Sequence, residues 1–158
     1  MACAIPTYHV IGLTRKEIFM SHPDLIPIAF WPDSRTAYVG RHDGGQVYAD
    51  IVGDPDWFNP KFQHTFTVVI HFFDHEGHHA DSRFLAGIED GRRAETYLIQ
   101  CLESLSGWNY GAIEIRLFKF AAHRRLWGLV DRGQDSDWVD LEPEDLGFHA
   151  PWDGSYST

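Results

Sequence analysis

The chain has 158 residues, 44% of them hydrophobic, with 23 acidic and 13 basic side chains for a formal charge of −10. Its length suits one domain with a real core. No apolar run reaches the ~18–20 residues of a membrane span, and no basic face is on offer to neutralise phosphates, so a nucleic-acid partner is not expected. Two cysteines, Cys3 and Cys101, make no disulfide framework. Met1–Leu13 lacks the basic and apolar regions of a secretory signal, so a cytoplasmic location is expected.

In chain order, Thr14-Arg15-Lys16-Glu17 fits a capping box, and Ser21-His22-Pro23 ends the short helix it opens. Residues 1–24 therefore read as an N-terminal extension with a short helix, and 25–158 as a single domain. Leu25–Phe30 reads as an edge strand, because Pro27 cannot donate to a ladder. Thr36–Arg41 and Gln46–Val52 read as a hairpin turning at Asp43-Gly44-Gly45. Gly53–Pro60 reads as a loop. His64–Phe73 is the strongest strand, with Phe66, Val68, Ile70 and Phe72 on one face and Thr67, Val69, His71 and Phe73 on the other. Asp74–Gly77 turns the chain back into His78–Ala86.

Asp90–Ser106 reads as the main helix. Ala94, Tyr97, Leu98, Cys101, Leu102 and Leu105 form one apolar stripe, Asp90 is the N-cap, and Gly107 is the residue past its end. Within that stripe Cys101 reads as a buried, inert thiol. Tyr110–Phe120 alternates as one strand and Leu126–Asp131 as a shorter one. The predicted fold is α+β: an antiparallel sheet of about five to seven strands with one main helix packed on one face, in two layers. The second sheet face then needs a cover, supplied by the aromatic C-terminal segment 131–158 or by a second copy of the chain.

Asp131, Asp135, Asp137, Asp140, Glu142, Glu144, Asp145 and Asp153 oppose Arg132 alone, so this stretch carries −7 of the total −10. Such a field steers a cationic partner. Trp138, Leu141, Leu146, Phe148 and Trp152 lie in the same stretch, and a purely solvating tail would lack them. Asp135, Asp137, Trp138, Asp140, Trp152 and Asp153 are therefore the expected partner-binding residues.

His71, His75, His78 and His79 fall within nine residues, and His75-Glu76-Gly77-His78-His79 satisfies the H-E-x-x-H pattern of zinc proteases. That pattern works on a helix, where residues i and i+4 share a face. On a hairpin tipped by Glu76-Gly77, His75 faces His78, Asp74 faces His79, and His75 and His79 point to opposite sides. His71 lies ~13 Å from His75 along an extended strand, too far to share an ion. The metal-ligating candidates are then His75 and His78, a pair that admits zinc without a third ligand.

No G-x-S-x-G elbow, phosphate-binding loop or dinucleotide fingerprint is present. Trp31, Trp57, Trp108 and Trp152 sit beside Pro, Gly, Asn or Asp, as lids or interface anchors do.

Ile26-Pro27-Ile28-Ala29, Arg35-Thr36, Gly40-Arg41, Gly45-Gln46 and Phe73-Asp74 with Glu76-Gly77 resemble one bacterial family. So do Tyr110-Gly111 with Ile113, Ile115 and Arg116, and Gly128-Leu129-Val130-Asp131. The clearest stretch is Leu146-Gly147-Phe148-His149-Ala150-Pro151-Trp152-Asp153-Gly154, with Tyr156 and Thr158. Over residues 25–158 the chain resembles the family labelled formate hydrogenlyase regulatory protein. That resemblance implies a cytoplasmic protein that modulates a transcriptional activator by protein contact, and it implies no catalytic residues.

The expected function is a non-enzymatic, acidic regulatory or immunity-like protein acting through protein–protein contact. A homodimer is compatible with this. The alternatives are a zinc-dependent hydrolase using His75, Glu76 and His79, and a small-molecule binder with an aromatic pocket.

Overall fold

The computed structural model describes residues 22–54, 64–133 and 137–158. The expected helix at Thr14–Glu17, Cys3, Trp57 and Asp135 lie outside the described residues. β1 is Ile26–Ile28, β2 Val39–His42, β3 Gly45–Gly53, β4 Phe66–Phe73 and β5 His79–Ile88. The helix α1 follows at Gly91–Glu103, then β6 Asn109–Tyr110, β7 Ile113–Ile115, β8 Phe118–Ala122, β9 Arg125–Asp131, β10 Trp138–Glu142 and β11 Leu146–His149.

The expectation of one sheet in two layers is corrected. The strands form three sheets, a five-stranded β5-β4-β3-β2-β6, a four-stranded β11-β10-β9-β8 and a pair β1-β7. Every pairing is antiparallel. The chain is thus α+β, mostly β, with one helix among the described residues. The extra layer comes from the C-terminal segment. Its acids hide two alternating strands, Val139/Leu141 and Leu146/Phe148, all buried.

β4 divides its side chains as its alternation predicts. Val68 and Ile70, with Val47 and Ala49 of β3, pack under Ala94, Leu98 and Leu102 of α1. Burying a leucine there is worth roughly 1.5–3 kcal/mol. Tyr97 stays 41% exposed and Cys101 half-buried, so the buried stripe is narrower than the sequence suggests. The opposite faces supply Tyr48 and Phe73, which meet Leu129, Val139, Leu141, Leu146 and Phe148 of the four-stranded sheet, with Ile26, Ile28, Ile113 and Ile115 of β1 and β7. Trp127 packs with Val52 and Val69 at the other end of this interface.

Asp90 caps α1, its carboxylate accepting from the Arg92 N–H at 2.9 Å. The helix ends at a Ser104 cap, and Gly107, with φ +74°, follows one further turn. The β2–β3 hairpin turns at Asp43-Gly44 as its residues predict. Gly45 leaves that turn at φ +145°, where an added Cβ would lie 2.0 Å from the Phe73 carbonyl oxygen. Glycine is what lets β3 approach the end of β4.

Two expectations shift. Tyr110–Phe120 is not one strand: β6 pairs with β2, β7 with β1 and β8 with β9. The β4–β5 turn is also longer than a two-residue tip. Phe73 pairs with His79, and the Asp74 N–H bonds to the His78 carbonyl at 2.9 Å. The Asp74 carboxylate closes the turn by accepting from the N–H groups of His78 and Glu76, which holds its pKa below the ordinary carboxylate range.

Candidate functional site

Burial sorts the acidic segment into exposed and internal groups. Asp140, 9% exposed, faces Arg132, which also bonds Glu142 and lies 3.7 Å from Asp145. One guanidinium thus gathers three carboxylates, with Asp140 its strongest partner. Asp131 sits 3.2 Å from the His22 imidazole and accepts the Gly133 N–H. Asp137 and Asp153 are exposed, the latter held below the usual carboxylate range by the Ser155 hydroxyl and N–H. Trp138 is 41% exposed and stacks on His149, with ring centroids 4.5 Å apart. Trp152 is half-buried against the inter-sheet core. Of the expected contact residues, Asp137, Trp138 and Asp153 reach the surface, while Asp140, on the same outer face of β10 as Trp138, is covered by Arg132.

The histidines are separated. Residues 75–79 form a turn running into β5, with no helical segment. The His75 Nε2 is 3.0 Å from the Asp43 carbonyl, and the His79 Nε2 is 2.7 Å from the Ser82 hydroxyl. His78 instead joins Asp74 and Glu76, whose ligand atoms all lie within 4.8 Å of one another. All three side chains are exposed and already bound to one another, so the group closes the turn.

His71, opposite Ser82 in the β4–β5 ladder, is fully buried. Its Nδ1 is 2.7 Å from the Ser82 hydroxyl, which therefore lies between two imidazoles. Burial, with His79 adding to it, lowers the His71 pKa to about 3, so the ring is neutral at pH 7. The His71 Nε2 has no partner. The arrangement that orphans no buried N–H has His71 Nδ1–H donating to Ser82, and Ser82 O–H donating to His79 Nε2.

A second polar cluster gives no signal as a motif. Asp50 projects from β3 between the sheets beside the fully buried Tyr48 and is 5% exposed. Arg35, in the loop before β2, donates to its carboxylate at 3.2 Å. Burial raises Asp50 to about 6, against the pull of Arg35. From the β10–β11 turn Pro143-Glu144-Asp145, Glu144 folds inward and is 7% exposed. Neither of its carboxyl oxygens makes a hydrogen bond. Its own backbone N–H favours the anion, but from a position that does not complete a bond. Burial and then the Asp50 charge push Glu144 up to about 8, so it is mostly protonated at pH 7.

Arg35, Asp54, Arg125, Pro143 and Glu144, with Ile51, Val52 and Gly53, line a cleft of about 480 Å³. Arg125 is fixed at its edge by the Gly53 carbonyl at 2.6 Å and lies over the Trp127 ring. Asp54 accepts from Thr65. Two buried carboxyl groups driven away from their ordinary acidity beside a cleft are a functional-site signature. The one trace of it in the sequence is Asp50, an acid on the inward face of a strand between Tyr48 and Val52.

Among the described residues no helix is long and apolar enough to cross a membrane. Comparison of the chain with protein-family models, with curated proteins and with solved structures found no match.

Proposed function

We propose that the chain is a non-enzymatic, acidic, cytoplasmic interaction protein that acts by binding a protein partner. The observation that carries this reading is the setting of its exposed tryptophans. The C-terminal segment bridges on one side to β11, through Gly147 and Ser157, and on the other to β1's end, where the Ala29 N–H bonds the Gly154 carbonyl at 2.9 Å. Beside the first contact stands Trp138, stacked on His149, which itself reaches Ser157. Beyond the second stands Trp31, 54% exposed. Trp138 at the start of β10, with Asp137 beside it in the chain, and Trp31 in the loop after β1 are exposed aromatic side chains, which with neighbouring acids have the composition of a binding hot spot with a polar rim. The acid rim favours a cationic partner and disfavours nucleic acid. The resemblance to the regulatory family points the same way, to control by protein contact.

The test is affinity capture from the native cell extract, with partners identified by mass spectrometry and mapped by crosslinking. Trp138→Ala and Trp31→Ala are expected to release the captured protein while the fold is retained, and Asp137→Lys with Asp153→Lys to weaken it at low salt. A partner that crosslinks elsewhere and survives all four changes would refute the reading.

A further inference from the structure

β5 is an outer strand of the five-stranded sheet and, at ten residues, the longest strand among the described residues. A strand edge presents a row of unpaired N–H and carbonyl groups, and proteins cover or guard such rows. The other edges follow that rule. β6, on the far side of the same sheet, has two residues. β8 has five, with Lys119 among them. β11 is covered, since Gly147 and Ser157 each donate an N–H to the other's carbonyl at 2.8 Å. Among the described residues nothing pairs with the outer side of β5. The strand holds no proline and no lysine, and Ala80, Asp81, Arg83, Leu85 and Ala86 are exposed. Its two register shifts fall toward its ends, so Asp81–Leu85 pairs one to one with Val68–Phe72.

We propose that β5 is the interface between two copies of this chain, paired antiparallel about a two-fold axis at Ser82, so that two five-stranded sheets join into one of ten. Charge selects both the occupant and the register. Asp81 and Arg83 lie opposite Phe72 and Ile70, on the helix side of the sheet, with Arg83 over the Phe72 ring at 4.7 Å and 3.5 Å from Asp81. Directly opposite residues of an antiparallel pair share a face, so the axis passes at a residue. An axis at Asp81 sets two carboxylates against each other, and one at Arg83 sets two guanidinium groups against each other. An axis at Phe84 sets Arg83 against a leucine. Only the axis at Ser82 places Asp81 opposite the partner's Arg83, and does so twice. Charges on the inner face of an edge bar strands that do not match them; this chain's own β5 matches.

The helix leaves the same edge uncovered. A groove of about 140 Å³ runs between α1 and β5, floored by Val68, Ile70 and Phe72 and rimmed by Leu85 and Tyr97, which are 37% and 41% exposed. A strand added beside β5 carries its own helix-side residues alongside Leu85 and takes it out of water. The interface uses neither Trp31 nor Trp138, so it stands apart from the tryptophan reading.

Sedimentation equilibrium of the full chain at physiological salt tests the interface. The expected result is a reversible monomer–dimer equilibrium. Asp81→Arg alone, or Arg83→Asp alone, turns both opposite-charge pairs into like-charge pairs and is expected to weaken the dimer at least about tenfold. Mixing the two variants in equal amounts is expected to restore dimer, and so is combining both changes in one chain. Both positions are exposed, and circular dichroism checks that the fold is kept. Hydrogen exchange of the outward amides within Asp81–Phe84 is expected to slow as protein concentration rises through the dimer range. A chain that stays monomeric up to roughly 1 mM overturns the proposal and leaves the edge to a strand of another protein. A dimer that survives both single changes, or one that mixing does not restore, overturns it as well.

Discussion

Glu144→Gln keeps the shape of a buried side chain and removes its ionisation, so its effect on stability is fixed by proton linkage. In the folded chain Glu144 titrates at about 8, whereas an ordinary glutamate titrates at 4.5. Between these values the folded state holds a proton that the unfolded state has released, and stability falls as pH rises. The contribution is fully present below 4.5 and lost through 8. Over the whole window the loss is on the order of 5 kcal/mol, of which about 3 kcal/mol has accrued by pH 7. Glutamine undergoes no such loss. The variant is therefore expected to match the wild type near pH 4.5 and to exceed it by about 3 kcal/mol at pH 7.

Two other groups shape the absolute profile. Asp50, raised to about 6, acts with the same sign as Glu144, while His71, lowered to about 3, acts with the opposite sign and withdraws stability as pH falls below 6.5. Both are present in variant and wild type, so His71 cancels in the difference between the two proteins, which reports Glu144 together with its coupling to Asp50. Urea unfolding followed by tryptophan fluorescence at pH 4.5, 6, 7 and 8 measures that difference. A difference that does not change with pH, or one that grows in favour of the wild type, would refute the linkage argument.

Trp127→Ala is expected to cost about 3–5 kcal/mol, because it empties a site that is 1% exposed and removes the indole N–H bond to the Ala122 carbonyl; a urea midpoint shifted by less than 1 kcal/mol equivalent, taken as roughly the floor for such a change, contradicts the inter-sheet packing. Arg132→Ala is expected to cost about 1–2 kcal/mol by leaving the Asp140 carboxylate without its partner, and Asp140→Asn in that background is expected to restore part of the loss. Nitrogen-15 NMR of the His71 ring is expected to show one neutral tautomer, protonated on Nδ1, throughout the range above its pKa of about 3. An imidazolium appearing near 6 would show that the ring is reached by water.

The hairpins that the sequence makes legible are those whose turns use common chemistry. Asp43-Gly44 marks the β2–β3 turn, and the alternation of β4 assigns Val68 and Ile70 to the helix side and His71 and Phe73 to the inter-sheet side. The β8–β9 turn carries His123 and Arg124, both at positive φ, 50° and 62°, where Asn-Gly is the usual signal. Residues 110–120 alternate without interruption, so nothing local reveals that Ile113 and Ile115 pair with Ile28 and Ile26 while Phe118 pairs with Leu129. Strand partners this far apart are chosen by the assembled core, and the same holds for Glu144. In a turn rich in acids it reads as one more solvated carboxylate, and only the arrival of Asp50 and Arg35 from residues about a hundred positions earlier makes its surroundings a cleft.

This reassigns the electrostatics of the C-terminal segment. Its formal charge of −7 treats every carboxylate as ionised and free. Glu144 is mostly protonated at pH 7, and Asp140, Glu142 and Asp145 share Arg132. The segment then carries about −6, of which the Arg132 cluster keeps −2 and Asp137 and Asp153 place another −2 beside tryptophans. Rim charges of that kind act on the rate of encounter and are screened within ~8 Å at physiological salt, while buried aromatic contact sets the lifetime of a complex. A partner selected here is therefore expected to lose association rate in high salt with little change in dissociation rate, whereas Trp138→Ala is expected to do the reverse. Surface plasmon resonance across a salt series separates the two. A dissociation rate that climbs steeply with salt would return the leading role to the carboxylates.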